Sequence, residues 1–105
     1  MERKRVVVTG IGMVTPLGND VSTAWQNLLQ GNSGADRITH FDASKFKTQF
    51  ACEVKNLDMS SLLDAKELRR YDRYIHYAIK PAEEAIQDSH ICIQAEDALR
   101  CGVIY

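Results

Sequence analysis

The two ends of the chain carry short apolar runs that lack the alternation of a half-exposed strand. Residues 5–9 contain three consecutive valines. Residues 101–105 form an apolar, β-branched run with no polar stop, turn or cap after it. Strands that are covered on both faces have this pattern. It predicts one buried strand over 5–9 and another over 101–105.

The chain stops inside the second of these predicted strands. A natural domain seldom ends there, because a buried strand still needs neighbours for pairing and cover. We therefore expect residues 1–105 to be a partial domain, truncated at its C-terminal end, of a longer protein. Most of the function would then belong to residues outside this segment.

A clear helical period follows the first apolar run. Apolar side chains recur at the spacing of one helix face, at Val21, Ala24, Trp25, Leu28 and Leu29. Asn19 or Asp20 can cap the amino end, and Gly31 stands where a left-handed residue ends many helices. The pattern predicts a helix over 21–29.

The region after this helix has no sustained period. Residues 32–49 are rich in Gly, Ser, Asp and Thr and are predicted to form a long surface loop. We expect Phe41, Phe46 and Phe50 to pin this loop onto the core. A short strand is predicted over 50–54.

Helical periodicity returns after residue 60. Ser60 or Ser61 can cap a first short helix, and Asp64 is placed for a capping box if Ser61 is the cap. A longer helix should follow and continue to Ser89.

The longest helix is predicted from about Lys66 or Arg70 to Ser89. Its buried stripe consists of Tyr71, Tyr74, Ile75, Ala78, Ile79, Ala82, Ala85 and Ile86. Pro81 removes one backbone hydrogen bond and crowds the carbonyl of Tyr77, so we expect a kink near Tyr77. A strand, a crossover with helices and a second strand together predict an α/β layered sheet.

Composition and charge exclude several classes of protein. The chain is 45% apolar and 26% charged, as in an ordinary soluble globular protein. Its net charge of −1 gives no general attraction to nucleic acid or to a membrane. The apolar stretch behind the basic first residues is only three valines long, too short for a signal peptide or a membrane span. We therefore expect a cytoplasmic protein.

The three cysteines give no sign of a disulfide framework or a zinc site. Cys52, Cys92 and Cys101 are odd in number and lack CxxC spacing. Free cysteine is among the most buried residue types. We expect reduced, partly buried thiols.

The glycine pair after the first run invites a nucleotide-binding interpretation, but its context argues against one. Thr15 stands where the dinucleotide fingerprint needs a third glycine, and Pro16 interrupts the passage from strand to helix. No P-loop is present in the sequence. We expect no bound cofactor, and we interpret Gly10 and Gly12 as allowing close packing in a folded-back turn.

No catalytic constellation can be assembled from this segment. His40, His76 and His90 are scattered and have no nearby Ser or Cys at catalytic spacing. Cys101 lies at the entry of a predicted buried strand, with no neighbour that would lower its pKa. We therefore expect neither catalytic nor metal-binding residues here.

One basic group recurs at helical spacing. Lys66, Arg69, Arg70 and Arg73 can share one surface region. Three acidic residues between positions 64 and 73 reduce the net charge to +1, four basic minus three acidic. Charge alone favours a solvated face and leaves a site for an acidic partner as the alternative.

Several motifs taken together resemble one family. They are VVVTGIGMVTPLGN at 6–19, Trp25, the turn at 31–34, HFD at 40–42, KELRRYDR at 66–73, AIQDS at 85–89 and GVI at 102–104. This set is similar to the opening of the β-ketoacyl-acyl carrier protein synthases, the elongating condensing enzymes, and most of all to their synthase II type. The resemblance spans nearly all of the chain but only about the first quarter of a family member.

The resemblance implies a thiolase-like αβαβα sandwich that dimerises. It also implies decarboxylative Claisen condensation of acyl and malonyl groups carried on the phosphopantetheine of acyl carrier protein, in fatty acid biosynthesis. The family's nucleophilic Cys and two His lie beyond residue 105, so this chain alone should be inactive. Lys66, Arg69 and Arg70 match the basic residues that meet the acidic carrier protein. Pro81 and Arg73 depart from the family pattern.

Two other interpretations stay open at this stage. One is a non-catalytic partner subunit, like the chain-length factors that share the fold and lack the nucleophile. The other is a free-standing docking module of 105 residues, which would have to fold with an unpaired apolar strand at its end. The residue at the nucleophile position distinguishes the first of these from the enzyme.

Overall fold

A computed structural model describes residues 3–96 and 98–104. Within these residues a long connection that carries one small sheet joins the first of three α-helices to the second, and two residues separate the second from the third. The elements are α1 (Val21–Leu29), β1 (Asp36–Arg37), β2 (Phe50–Ala51), α2 (Ala65–Arg70), α3 (Arg73–Ser89) and two 3₁₀ turns, Ile93–Ala95 and Ala98–Arg100.

Helix α1 confirms the prediction from periodicity at both ends. The Asp20 side chain accepts a hydrogen bond of 2.8 Å from the backbone N–H of Thr23. At the other end Gly31 has a left-handed φ of 71°. The N–H of Gly31 bonds to the carbonyl of Leu28, and the N–H of Asn32 bonds to that of Asn27. This is the Schellman arrangement, which satisfies carbonyls that the helix end would leave unpaired.

The only sheet within the described residues is a two-stranded antiparallel pair. Asp36 faces Ala51 and Arg37 faces Phe50. The predicted strand over 50–54 is therefore confirmed only for its first two residues. Strand β1 lies inside the segment predicted as loop, and its two exposed residues offer no hydrophobic alternation that could have indicated it.

The predicted terminal strands are wrong within the described residues. Segments 5–9 and 101–104 have no ladder partner there, and their side chains are exposed, with Val6 at 90% and Ile104 at 100%. Tyr105 lies outside the described residues. A strand exists only with a hydrogen-bonded neighbour, so the expected α/β layered sheet is not formed by this segment alone.

The predicted long helix is divided into two. Tyr71 is extended, with φ −95° and ψ 132°, and separates α2 from α3. The cap of α2 is Asp64 rather than Ser60 or Ser61, because Asp64 and Glu67 satisfy each other's backbone N–H groups in a capping box.

Helix α3 runs through Pro81 without a break. The kink expected near Tyr77 stays a prediction. His90 adopts a left-handed conformation with φ 55° and ends the helix.

Two carboxylates of α3 hold the amino-terminal turn. Glu84 accepts hydrogen bonds from the N–H groups of Met13 (3.0 Å) and Val21 (2.8 Å). Asp88 accepts one from the N–H of Ile11 (3.0 Å). The turn can approach this closely because glycines face α3: a Cβ on Gly12 would overlap the carbonyl oxygen of Pro81, and one on Gly10 that of Ala85.

The buried core is very small. Among the described residues, Ala24, Ala43 and Met59 are the buried hydrophobic side chains. The expected pinning of the loop by three phenylalanines is wrong. Phe41, Phe46 and Phe50 are exposed, and the first two pack edge to face on each other with ring centroids 5.9 Å apart. The described segment has too little neighbouring apolar surface to cover them.

No helix among the described residues is both long enough and apolar enough to cross a membrane.

Removing the bridging carboxylate should destabilise the protein. Glu84→Ala leaves two part-buried backbone N–H groups without their charged acceptor, which should cost about 2–4 kcal/mol in free energy of unfolding. Glu83→Ala is the matched control, since Glu83 accepts only from Gln87 on the same helix and its loss should cost about 0.5 kcal/mol or less. Urea unfolding of both variants, made in the complete protein, measures the difference. Equal losses would show that Glu84 does not hold the turn.

The close approach of the turn to α3 gives a second test. Gly12→Ala forces a Cβ against backbone and should cost about 2–3 kcal/mol. Gly31→Ala meets no atom within 4 Å and carries only the strain of its positive φ, about 1 kcal/mol. Thermal melting should rank Gly12→Ala below Gly31→Ala. The reverse order would contradict the packing described above.

Candidate basic docking surface

The predicted basic residues lie on α2, the short helix that follows Asp64. Lys66, Arg69 and Arg70 are at i, i+3 and i+4, so they share one face of this helix. We call this set the basic docking surface. All three residues are exposed.

The acidic residues beside this surface direct their oxygens elsewhere. Asp64 Oδ1 accepts from the N–H groups of Lys66 and Glu67, both at 2.8 Å. Glu67 Oε2 accepts in return from the N–H of Asp64 at 3.0 Å. Both carboxylates serve the capping box. Neither carboxylate forms an ion pair with the neighbouring cations in the described residues, although both lower the net charge of the segment.

The three cations carry no ion pair within the described part of the chain. Arg69 Nε donates to the carbonyl of Ala65 at 3.0 Å, which fixes the side chain along the helix. Arg69 and Arg70 also occupy the last turn of α2, where a cation is favoured by the helix dipole. The surface is thus three exposed cations on a capped helix, with no ion pair to them in the described residues.

Arg73 is placed differently from the other three. It begins α3, and its Nη1 lies 2.7 Å from His40 Nε2. A guanidinium only donates, so this contact fits a neutral His40 with its proton on Nδ1. That nitrogen lies 3.7 Å from Glu53 Oε1. Arg73 is thereby engaged with the loop before β2 and is set apart from the basic docking surface.

Glu53 anchors the same loop. It accepts from the Thr39 hydroxyl at 2.7 Å and from the Thr39 N–H. The bond from the Thr39 hydroxyl is the main cause that lowers the pKa of Glu53 below its usual value, and desolvation opposes it. The ionised Glu53 carboxylate therefore stabilises the folded state. Because its folded-state pKa is depressed, this contribution to stability is present above the unfolded-state pKa and is lost as the pH falls through the folded-state pKa.

The remaining histidines and the cysteines have no hydrogen bond to one another in the described residues. His76 Nε2 is buried without a hydrogen-bond partner, and His90 Nδ1 lies 2.8 Å from the carbonyl of Asp88. The prediction that the cysteines are partly buried is wrong, because Cys52, Cys92 and Cys101 are all exposed.

Metal-ligand geometry is likewise absent from the described part of the chain, where no three His, Cys, Asp or Glu side chains are grouped to hold an ion.

A large apolar groove lies between the amino-terminal turn and α1. Its volume is about 780 Å³. It is lined by Ile11, Met13, Thr15, Pro16, Leu17, Val21, Ala24, Trp25, Leu28, Asn32, Gly34 and Cys52. None of these side chains is charged.

Sequence reasoning missed two features of the site region. One is the pairing of Arg73 with His40, which are 33 residues apart and carry no pattern that links them. The other is the clamp formed by Glu84 and Asp88. The i, i+4 spacing of these two residues on α3 was the available signal. The groups that they bind are backbone N–H groups, which almost every residue has, so no sequence pattern marks them.

Comparison with known proteins gives a consistent result. The family model described as the β-ketoacyl synthase N-terminal domain matches residues 3–105. A 3-oxoacyl-[acyl-carrier-protein] synthase 2 from Coxiella burnetii is 48% identical over 103 residues, which cover 98% of this chain and 25% of that protein. The protein of the same name from Staphylococcus aureus strain COL is 44% identical over 102 residues, covering 97% and 25%.

A solved structure described as the ishigamide ketosynthase/chain length factor is also similar. It superposes with a TM-score of 0.77 at 32% identity, over 89% of this chain and 23% of that chain. The described residues therefore have the fold of one part of a ketosynthase. The chain spans about a quarter of the length of the relatives that it matches. Because the family model covers nearly all of its residues and the relatives share almost half of them, the chain belongs to the β-ketoacyl synthase family, and its residues 3–105 match the model of that family's N-terminal domain.

Proposed function

We propose that this chain is the amino-terminal part of a 3-oxoacyl-acyl carrier protein synthase of fatty acid biosynthesis. The observation that carries the proposal is the identity of 44–48% to proteins of that name over almost the whole chain. The complete protein would be a cytoplasmic homodimer with the αβαβα sandwich of its family, and residues 1–105 would supply one incomplete portion of it.

The proposed reaction is a decarboxylative Claisen condensation. An acyl group passes from the carrier thioester to a cysteine thiolate, and the carrier thiol leaves. Malonyl-carrier protein then loses CO₂, and the resulting carbanion attacks the acyl-enzyme carbonyl and expels the cysteine. We place that cysteine and its two histidines outside residues 1–105, so the segment alone is expected to be inactive. It needs no cofactor of its own, because the carrier protein brings the phosphopantetheine.

The part played by this segment is partner recognition through the basic docking surface. Acyl carrier protein is strongly acidic, and Lys66, Arg69 and Arg70 are exposed cations without intramolecular ion pairs in the described residues. Exposed rim charges act mainly on the rate of encounter and on orientation. The net charge of −1 supports a local docking site rather than a general affinity for polyanions such as nucleic acid.

A second candidate is a non-catalytic partner subunit of the chain-length-factor type. The solved structure with a TM-score of 0.77 carries both terms, ketosynthase and chain length factor, in its description. The two functions differ at the nucleophile position of the complete protein. A cysteine there supports the enzyme, and any other residue supports the partner subunit.

Charge reversal tests the docking surface. In the complete protein, Lys66→Glu combined with Arg69→Glu should lower kcat/KM for malonyl-carrier protein roughly tenfold or more at low ionic strength, because attraction becomes repulsion. The loss should shrink at high salt, where charges are screened. Transfer of an acyl group from an acyl-coenzyme A thioester to the enzyme, the half-reaction that needs no carrier protein, should be retained.

The matched control is Lys45→Glu combined with Lys47→Glu. These two lysines are exposed in the loop before β2, and the change in net charge is the same. The control should leave carrier-dependent kinetics within about twofold if docking is local. Unchanged kinetics in the Lys66/Arg69 variant, or equal losses in both variants, would remove the assignment of the basic docking surface.

A further inference from the structure

The face of α1 that the sequence predicts to be buried is largely uncovered. Of its five-residue apolar stripe, only Ala24 is buried, while Trp25 is 55% and Leu28 is 56% exposed. These two side chains line the apolar groove together with residues of the turn. Helices in proteins owe most of their stability to the packing of such a face. The groove is therefore a surface that requires an occupant.

The occupant must be permanent rather than transient. A groove that binds a partner only transiently belongs to a domain that stays folded when the partner leaves. In the described residues of this chain the buried hydrophobic side chains are Ala24, Ala43 and Met59, a core far smaller than a stable scaffold needs. The lining is free of charge, so an acidic carrier protein finds no complementary group there.

The extent of the relatives indicates where the occupant comes from. The match covers 25% of each relative and 23% of the similar solved chain. Three quarters of those polypeptides therefore lie outside the aligned segment. A segment on the same chain reaches the groove at a high effective concentration and loses little entropy on packing there. A second copy of the chain has neither the high effective concentration nor the small loss of entropy.

We propose that the apolar groove is filled, in the complete protein, by an apolar segment of the same polypeptide that follows residue 105. This rests on the proposed function, in which residues 1–105 are the amino-terminal part of a synthase. The groove is then an unfinished portion of the central core, and Trp25 and Leu28 are core residues of the complete protein.

Photo-crosslinking identifies the occupant. The complete protein is prepared with p-benzoylphenylalanine in place of Trp25, and a matched control carries it in place of Gln26, an exposed position of the same helix that does not line the groove. Irradiation at Trp25 should yield a crosslinked species at monomer mass whose second peptide lies beyond residue 105. The Gln26 control should not yield that peptide. A product of twice the mass, a crosslink to another protein, or no crosslink beyond residue 105 would overturn the proposal.

The unmodified protein provides a second measurement, since the bulky probe could disturb folding. Cys52 lines the groove and is exposed in this segment. In the native complete protein its alkylation by N-ethylmaleimide should be at least about tenfold slower than in urea, because a filled groove must open first. Peptide mass spectrometry separates Cys52 from the other thiols. A smaller protection factor would contradict a filled groove.

The experiment distinguishes a failure of the groove proposal from a failure of the proposed function. Condensing activity is measured on the same native preparation that is alkylated. An active protein with an unprotected Cys52 would sink the groove proposal alone, and an inactive protein with a protected Cys52 would count only against the proposed reaction.

Discussion

The carboxylate of Glu84, on α3, holds the amino-terminal turn and the start of α1 against that helix. The rest of the described structure depends on this contact. One oxygen accepts from the turn at Met13, and the other accepts from the first residue of α1 at Val21. The turn can lie against α3 only because Gly10 and Gly12 have no Cβ to overlap the helix carbonyls. This contact fixes the direction in which α1 leaves the turn. From that starting point α1 carries Trp25 and Leu28 along the wall of the apolar groove.

The consequence is a segment with two surfaces of opposite character. The apolar groove has no charged lining and is open, whereas α2 is a polar helix whose capping box uses the nearby carboxylates and leaves three cations exposed. An open apolar groove of this kind is a place where other apolar side chains gain free energy by packing. Exposed cations without partners are instead suited to long-range attraction of an acidic protein. In the proposed function the segment contributes packing on one side and recognition on the other, and the chemistry would belong to residues elsewhere in the complete protein.

What could be predicted from the sequence was local. Helix α1 followed from its period, and its ends followed from Asp20 and Gly31, because caps act within a few residues. The family followed from motifs spread along the chain. The expectations that failed depended on neighbours at long range: the strands over 5–9 and 101–104 have no partner among the described residues, and Phe41 and Phe46 have nothing to cover them. For the candidate site, the spacing of Lys66, Arg69 and Arg70 was sufficient to place them on one face. The separation of Arg73 from them was not predictable, because it depends on Tyr71 leaving the helix and on a contact with His40.

The central claim is that residues 1–105 are one part of a larger synthase and that the remainder completes both its core and its chemistry. The most direct test is the intact mass of the natural protein whose tryptic peptides include residues of this chain. The account predicts a mass about four times the 11.8 kDa of this segment, as the 25% coverage of its relatives implies. A natural protein of 11.8 kDa would contradict it.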